Sequence, residues 1–544
     1  MQQLSRRQIL VGAGAGAALA LVGCGSSPSG PNVSGKTGAM SSYDVGTQFK
    51  ATQPLTFSIL MLSNPAYPYN ANWPFFRDLK QKTNISLDSI VVPYSDYNTK
   101  RSTLINAGEA PMIIPKTYPG EEDQYVAGGA ILPVSDYVHL MPNFQDKVTR
   151  WNLQGDLDTL RQADGKYYLL PGLHQQVWTD YSLAVRADIL QKLNIPTPQT
   201  WDHVHGMMLA MRRAYPSVYP LSDRWNQPTP GGAFLENLGN AYSTASGWNY
   251  QNPAQGAFWD AKSAKYVLTS AMPQYKQMVQ FLNTMYNEGL IDPESFTQSD
   301  DIAKQKFVSG KSLVISTNAQ YLVMDRQAMT VSGATITKIP QPVGPAGPVV
   351  VGSRLENGLM ISSKAKQSKD FLAMLQFIDW LWYSDAGELF ARWGIKGLTY
   401  DGSVASGTFH LAPDVGWAGI NANAPKKLNV TYGFYNGVFS YGGSTALLDT
   451  QFSPEELTYQ RVMNTRRSLP LPPPAPLTAA ANQQVTLWGT ALMDYVQQQT
   501  LQFILGKRPL SQWDQYVSEL QGKNGGQLVS TIQDAYQTYK HKFG

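Results

Sequence analysis

The sequence of 544 residues contains a single cysteine, Cys24. One cysteine cannot form an internal disulfide, so no covalent cross-link can hold the fold together. The same scarcity excludes thiol catalysis and metal sites built from several cysteines. Any stability must therefore come from non-covalent interactions.

Charge is also scarce. Charged residues make up 15% of the chain, against about 25% in an average domain. The net charge is +4, and no run of Lys or Arg is longer than a pair such as Arg466-Arg467. Because neutralising phosphates needs a concentrated basic surface, we exclude a nucleic-acid partner.

Motifs of several enzyme classes are missing as well. The sequence has no GxSxG elbow, HExxH helix or Walker A loop, and its histidines are scattered. A glycosidase needs only two carboxylates, so a lipoprotein glycoside hydrolase stays open as an alternative. The acidic runs Glu121-Glu122-Asp123 and Asp300-Asp301 are better explained as solvated loops, because adjacent side chains diverge. No catalytic residue is predicted.

Aromatic and uncharged polar residues are abundant instead. Aromatics make up 11% of the chain, with 13 Trp and 29 Tyr. That mixture suits a neutral polar ligand, since flat rings pack on apolar faces while hydroxyl and amide groups bond to polar edges. The length exceeds what one hydrophobic core supports, which predicts at least two lobes.

The N-terminus indicates export. The apolar stretch from Ile9 to Gly23 is too short to cross a bilayer, and residues 1–23 are predicted to be a signal peptide. Leu21-Val22-Gly23-Cys24 resembles a bacterial lipobox, which implies lipid attachment to Cys24. Ser5-Arg6-Arg7-Gln8-Ile9-Leu10 resembles a twin-arginine motif with Ile9 where Phe is usual, so the Tat and Sec routes both stay open. We expect a lipid-anchored protein on the outer face of the cell membrane.

The remaining pattern alternates strands and helices. Residues 24–52 are rich in Gly, Ser and Pro and are predicted to be a flexible tether. Strands are expected at 55–62, 85–93 and 181–186, and long helices at 272–288 and 368–393. This order predicts α/β lobes with largely parallel sheets. Ligands bind beyond the carboxyl ends of such strands, so loops 64–73 and 116–120 are expected at the site.

Several segments in order resemble family 1 of the bacterial extracellular solute-binding proteins, the receptors of carbohydrate ABC importers. They are Gly128-Gly129-Ala130-Ile131-Leu132-Pro133, Asp164-Gly165-Lys166-Tyr167-Tyr168-Leu169-Leu170-Pro171, Arg186 to Pro196 with Pro198-Gln199-Thr200-Trp201, Tyr286-Asn287-Glu288-Gly289-Leu290-Ile291-Asp292-Pro293, Phe307-Val308-Ser309-Gly310-Lys311 and Gly394 to Tyr400. Among subgroups, the long chain is most similar to the larger lipoproteins related to LipO and the alginate-binding proteins. Some of those carry an acidic calcium loop, but Leu221 to Gln227 lacks clustered carboxylates, so neither metal nor cofactor is expected.

The resemblance implies a periplasmic-binding-protein type II fold, with two α/β lobes joined by a hinge near residues 171–181. The N-lobe would comprise residues 53–175, completed by about 355–400, and the C-lobe residues 176–354, completed by about 401–544. It further implies a monomer without enzymatic activity that captures a carbohydrate by hinge closure and presents it to the ABC-transporter permease subunits. A receptor for peptides or another solute on the same fold stays open.

A sugar pocket needs aromatic platforms with polar groups at the rim. The aromatic residues in predicted loops and at the hinge are therefore the candidate ligand contacts: Tyr67, Trp73, Tyr118, Trp178, Tyr181, Trp225, Trp248, Trp417 and Tyr432. Arg354 is a further candidate for an acidic sugar, with pairing to Glu356 or another carboxylate as the alternative. Trp201, Trp380, Trp382 and Trp513 lie in helical patterns and are predicted to be core residues.

Overall fold

A computed structural model describes residues 33–224, 232–245 and 256–543. Trp225 and Trp248, and residues 1–32 with Cys24, lie outside them. The strands in these ranges are β1 (Leu55–Ser63), β2 (Ile85–Pro93), β3 (Ile113–Thr117), β4 (Leu170–Leu173), β5 (Ser182–Arg186), β6 (Ala257–Asp260), β7 (Lys265–Leu268), β8 (Val314–Thr317), β9 (Ile336–Lys338), β10 (Val349–Val350), β11 (Leu355–Ile361), β12 (Tyr400–Asp401), β13 (His410–Leu411), β14 (Val415–Gly416), β15 (Lys426–Lys427) and β16 (Arg467–Ser468).

Helices surround these strands. They are α1 (Pro74–Thr83), α2 (Tyr97–Asn106), α3 (Asp123–Val126), α4 (Pro142–Arg150), α5 (Gln154–Asp158), α6 (Ala187–Lys192), α7 (Trp201–Ala214), α8 (Gly232–Ala241), α9 (Pro273–Asn287), α10 (Asp300–Val308), α11 (Ala319–Ala328), α12 (Phe371–Tyr383), α13 (Asp385–Trp393), α14 (Thr445–Asp449), α15 (Pro454–Asn464), α16 (Ala479–Ile504), α17 (Trp513–Gly522) and α18 (Gly525–Phe543). Within the described ranges, no helix is long and apolar enough to cross a membrane.

Each lobe has its own sheet. The N-lobe sheet has the order β2-β1-β3-β11-β4, and β1 runs parallel to both β2 and β3. β11 is antiparallel to β3 and β4, because the chain re-enters this lobe from the hinge side. In the C-lobe, β5 lies between β8 and β9 and pairs antiparallel with both. The expectation of largely parallel sheets therefore holds only for part of the N-lobe.

The two lobes have separate hydrophobic cores. The N-lobe core is built around α12, whose side chains are buried on almost every side, as expected for a helix that is apolar all round. The C-lobe core combines α7 and α9 with α16 from the C-terminal part of the chain. The predicted core positions Trp201, Trp380, Trp382 and Trp513 are all buried.

The chain passes between the lobes three times. Buried residues up to Leu173 and from Leu355 to Leu447 lie in the N-lobe core. Those from Leu183 to Ile339 and from Ala475 onward lie in the C-lobe core or in a smaller cluster on the C-lobe sheet. The N-lobe core therefore extends beyond residue 401, where the sequence predicted the lobe boundary. Phe439 stacks on Phe75 with ring centroids 4.5 Å apart, so residues 401–447 complete the N-lobe.

Residues 33–52, here called the strap, also differ from the expected flexible tether. The strap packs on the N-lobe: Phe49 is fully buried, and the Tyr43 hydroxyl donates to Asp379 over 2.9 Å. The Met40 amide donates to the Gln376 side chain over 2.9 Å. The bias toward Gly, Ser, Pro and polar residues suggested a tether, but Tyr43 and Phe49 both contact α12.

Candidate functional site

The candidate site lies where the two lobes face each other. In the N-lobe it begins at the carboxyl ends of β1 and β3, followed by the loops 64–73 and 118–122. Loop residue Gly419 of the N-lobe approaches α11 of the C-lobe, since a methyl group on its Cα would lie 3.6 Å from Cγ1 of Val323. The lobes therefore meet beside the loop that carries Trp417.

Tyr67 and Lys116 come together on the N-lobe side. A side chain at Gly437 would begin 3.3 Å from the Tyr67 hydroxyl and 3.8 Å from Nζ of Lys116, so the glycine leaves room between them. Burial raises the pKa of Tyr67, and the nearby Lys116 ammonium opposes that shift. Lys116 has a left-handed backbone with φ of 56°, a conformation that often marks functional sites.

Lys116 has no salt-bridge partner among the described residues, although its charge acts on the Glu356 carboxylate at longer range. Within the described ranges, no carboxylate oxygen lies within 4.0 Å of its Nζ. The ammonium lies 5.2 Å from the ring centroid of Tyr118, which is about half exposed. A cation beside exposed aromatic surface can bind a hydroxyl or carboxylate group of a ligand.

Trp417 and Tyr435 form a stacked pair. Their ring centroids are 3.9 Å apart with an interplanar angle of 29°, and both rings are half-buried. Arg392 donates to the Tyr435 hydroxyl over 2.9 Å, and that hydroxyl donates to Gln451. These bonds fix the pair as a rigid aromatic platform. Tyr435 was not among the predicted contacts, although its position in Gly433-Phe434-Tyr435-Asn436-Gly437 resembles the loop contexts used to choose the others.

The C-lobe supplies a second polar aromatic cluster. Asn318 caps α11 by accepting from the Tyr321 amide over 2.8 Å, and its side chain donates to Asp180 over 3.3 Å. Burial and the Asp180 carboxylate raise the pKa of Tyr181 to about 12. Arg224 lies 4.7 Å from the Tyr321 ring centroid and forms a salt bridge with Asp300. The Arg224 guanidinium therefore already has a carboxylate partner within the protein.

His174, in the first interlobe crossing, bonds to Glu356 on β11 of the N-lobe. Nε2 of His174 is 3.0 Å from Oε2 of Glu356, which also accepts from the Gly442 amide over 2.7 Å. Burial raises the pKa of Glu356, but the bond and charge of His174, the Gly442 amide and the Lys116 ammonium together keep that pKa below its usual value. Trp178 packs beside His174 with centroids 5.3 Å apart and stays 37% exposed.

Three predicted contacts are held within the protein. Trp73 is only 2% exposed and its indole donates to the Val430 carbonyl over 2.9 Å. Tyr432 is buried in the N-lobe core. Arg354 forms a salt bridge of 2.6 Å with Asp156. The alternative named for Arg354, pairing with a carboxylate of the protein, therefore fits the structure, and the carboxylate is Asp156 and not Glu356. Its guanidinium also donates to the Trp151 and Asn152 carbonyls.

The acidic runs weighed for a hydrolase have structural partners. Glu121 pairs with Arg101 over 2.9 Å, and Asp300 pairs with Arg224 over 2.7 Å. Glu122 is fully buried, and burial raises its pKa to about 8. Across the described ranges, no group of three or more His, Cys, Asp or Glu side chains is placed to hold a metal ion.

Comparison with known proteins gives consistent matches. The family model of the bacterial extracellular solute-binding proteins matches residues 66–385. The chain is 22% identical over 531 residues to the fructooligosaccharide ABC transporter substrate-binding protein FusA of Streptococcus pneumoniae serotype 4, covering 91% of this chain and 92% of the relative. It is 22% identical to lipoprotein LipO of Bacillus subtilis over 355 residues, covering 62% of this chain and 66% of LipO.

Solved structures agree on the fold. The crystal structure of the alginate-binding protein AlgQ2 superposes with a TM-score of 0.64 at 18% identity, covering 90% of this chain and 99% of that one. A solute-binding protein from Bifidobacterium longum infantis described as binding HMO gives 0.64 at 17% identity, covering 90% and 99%. At such identities the likeness shows the fold alone: two α/β lobes of the periplasmic-binding-protein type II class.

Proposed function

The chain belongs to the bacterial extracellular solute-binding proteins, and we propose that it captures an oligosaccharide in the cleft between its lobes for an ABC importer. Capture would use hinge motion at the three interlobe crossings, and the closed form would be presented to the permease subunits. The protein would act as a monomer, without a chemical step, at the outer face of the cell membrane. Cys24 would carry the lipid anchor.

The observation that carries this proposal is the stacked pair of Trp417 and Tyr435 beside the contact between Gly419 and Val323. Sugar rings present apolar C–H faces that pack on flat aromatic surfaces. A platform where the lobes meet would be covered when they close on a ligand. The partly exposed rings of Trp178 and Tyr118 would extend the same chemistry along the cleft.

Polar groups near the platform fit the hydroxyl edges of sugars. The Tyr67 hydroxyl and the Lys116 ammonium converge beside Gly437 on the N-lobe, and Tyr181 and Asn318 both lie beside Asp180 on the C-lobe side. Lys116 is also suited to a uronate carboxylate, so the ligand could be neutral or acidic. Two similar proteins support carbohydrate as the class, because FusA is named for fructooligosaccharide and AlgQ2 for alginate.

The lobe division follows from the same packing. We propose an N-lobe of residues 33–173 and 355–447, and a C-lobe of residues 182–339 and 475–543. The first crossing, residues 174–181, overlaps the hinge expected near residues 171–181. Trp178 and Tyr181 lie in this crossing, so ligand contacts there would couple binding directly to hinge motion.

The test is a binding panel on the processed chain, residues 24–544 with Cys24→Ser. Neutral oligosaccharides, oligouronates and peptides are screened by thermal shift, because a ligand that binds only the native state raises the Tm. Hits are titrated by calorimetry, and the ligand is analysed by mass afterwards. A rise with one sugar class and an intact ligand supports the proposal. Cleaved products would favour a glycoside hydrolase, and a rise with peptides alone would contradict the carbohydrate assignment.

A tryptophan pair provides the matched variants. Trp417→Ala removes half of the platform and should weaken binding about tenfold or more, since a large apolar face loses its partner. Trp488→Ala is the control, because Trp488 is also half-buried but lies on α16 of the C-lobe. Equal ligand affinities of the two variants would show that the platform does not contact the ligand.

A further inference from the structure

The N-lobe has a basal edge opposite the cleft. β1 and β2 begin side by side, with Leu55 opposite Ile85, and β11 ends at Ile361 opposite Ile113 at the start of β3. The candidate site follows the other ends of β1 and β3. Because β1 has nine residues, the two edges lie about 30 Å apart.

The strap enters the fold at this basal edge. The Thr37 amide donates to the Lys369 carbonyl over 2.8 Å, and the Leu372 amide donates to the Gly35 carbonyl over 2.9 Å. A methyl group on Gly35 would overlap the Ser368 carbonyl, so the backbones touch directly. The strap returns to the same edge at its end, where the Ala51 amide bonds to the Thr83 carbonyl.

The basal edge is rich in unpaired lysines. The basal lysines, all exposed, are Lys36, Lys50, Lys80, Lys364, Lys366 and Lys369. Within the described ranges none has a carboxylate within salt-bridge distance, whereas Lys147, Lys306 and Lys338 elsewhere are ion-paired. Lys364 instead donates to the Gly108 carbonyl. The neighbouring carboxylates are those of Glu109 and Asp370. Because these two are fewer than the six lysines, the edge carries a net positive charge.

We propose that, between deliveries to the permease, this basal edge docks on an anionic phospholipid surface and holds the cleft away from the membrane. The edge then leaves the surface when the closed form is presented to the permease. Fully extended, the chain from Cys24 to Val33 spans at most about 30 Å, so a lipid on Cys24 would keep this edge close to the bilayer. Lysines near such a surface each strengthen partitioning by about fivefold. The cleft, at the opposite edge, then faces solutes that arrive from outside. The lipid link rests on the proposed function, whereas the lysine surface does not.

The first test uses the unlipidated processed chain, residues 24–544 with Cys24→Ser, which keeps every described residue of both lobes. Its partitioning is measured by co-sedimentation with phosphatidylcholine vesicles and with vesicles containing phosphatidylglycerol. The parent should bind the anionic vesicles preferentially, and binding should fall as salt rises because screening shortens the reach of the charges. Equal binding to both vesicle types would overturn the proposal.

Two charge-matched variants locate the surface. The basal variant, with Lys36, Lys50, Lys366 and Lys369 all changed to Gln, should bind anionic vesicles at least tenfold more weakly. The control changes exposed lysines of the C-lobe to Gln, namely Lys262, Lys265, Lys311 and Lys507, and should stay within about twofold of the parent. Equal losses would show a general charge effect and refute a basal surface. Unchanged thermal melts confirm that both variants fold.

A second measurement checks the orientation. The lipidated protein is reconstituted in anionic and neutral vesicles, and amide hydrogen exchange is compared between them. Slower exchange near residues 35–37 and 363–369 on anionic vesicles alone is the expected result. Slower exchange in the cleft loops 64–73 and 118–122 would instead place the cleft against the lipid and overturn the proposal. Because no sugar is present, the outcome does not depend on whether the cleft binds one.

Discussion

The ammonium group of Lys338 lies over the ring of Tyr459, with Nζ 3.7 Å from the ring centroid. Lys338 ends β9 of the C-lobe, and Tyr459 lies on α15 in the third crossing. The same Nζ donates to both oxygens of Glu456, over 2.8 and 3.0 Å, and to the Asp180 carbonyl of the first crossing over 2.7 Å. One buried lysine thus joins two hinge segments to the C-lobe sheet.

This geometry predicts a large cost for removing the partner charge. Burial lowers the pKa of Lys338, and Glu456 opposes that shift. Glu456→Gln leaves the ammonium buried without its carboxylate, so the free energy of unfolding should fall by about 3–5 kcal/mol. Urea denaturation measures the change.

The adjacent Glu455 supplies the control. It pairs with Arg326 at a partly exposed position, so Glu455→Gln should cost less than about 1 kcal/mol. Replacing both charges, with Lys338→Met and Glu456→Leu, should recover much of the stability lost in Glu456→Gln. Similar losses in all three variants would argue against a buried ion pair.

Asp180 predicts a pH dependence of stability. Burial raises its pKa to about 6, against about 3.9 for an unfolded aspartate. The native state therefore binds more protons than the unfolded state between these values, and stability falls as the pH rises from about 4 to about 6. This contribution is about 3 kcal/mol at most.

The measurement compares the parent with Asp180→Asn by urea denaturation at several pH values. The parent should lose stability relative to the variant as the pH rises from 4 to 6, and the difference should level off above the folded-state pKa. A constant difference across this range would show that Asp180 has an ordinary pKa.

The strap predicts that residues before β1 stabilise the N-lobe. Phe49 is fully buried against Phe377, so Phe49→Ala should reduce the free energy of unfolding by about 3–5 kcal/mol. Val45 is 51% exposed on the same strap, and Val45→Ala should change it by less than about 0.5 kcal/mol. A fragment that begins at residue 53 should likewise melt at a lower temperature than one that begins at residue 33. Equal stability of the two fragments would mean that the strap is not docked.

Gly433 lies so close to Trp73 that we expect any larger side chain at this position to disturb the packing of the indole ring. Its φ is 79°, and a methyl group on its Cα would lie 2.5 Å from the indole ring. Gly433→Ala should therefore destabilise the protein by about 2–3 kcal/mol and change tryptophan fluorescence. Gly407→Ala is matched for backbone strain, with φ of 66° and no atom within 4 Å of the added methyl. It should cost only about 1 kcal/mol, and an equal cost at both sites would exclude the clash.

The sequence was informative where a signal is local. Strands such as β1 and β2 follow from short runs of β-forming residues, and α12 follows from its long apolar pattern. The ordered family segments were enough to indicate the fold, which the family match confirms. The strap was misjudged because Phe49 makes its stabilising contact with Phe377, which is distant in sequence.

Site residues were harder to assign for the same reason. Trp73 and Trp417 both lie in polar loops. Trp73 is buried against the backbone of Gly433, whereas Trp417 stacks on Tyr435 and is only half-buried. Arg354 was ambiguous until its partner Asp156 was placed beside it. Exposure and pairing depend on contacts between distant segments, and a single sequence does not encode those contacts locally.

The sequence by itself determined the family, the two-lobed α/β class and a composition suited to polar ligands, because these depend on residue order and local periodicity. Only the tertiary structure decided which aromatics remain exposed, where the chain crosses between the lobes and which edge collects unpaired lysines. Those properties arise when the chain re-enters the N-lobe at β11 and brings residues 355–447 against the first 173 residues. Long-range packing therefore decided the site, and local sequence decided the elements from which it is built.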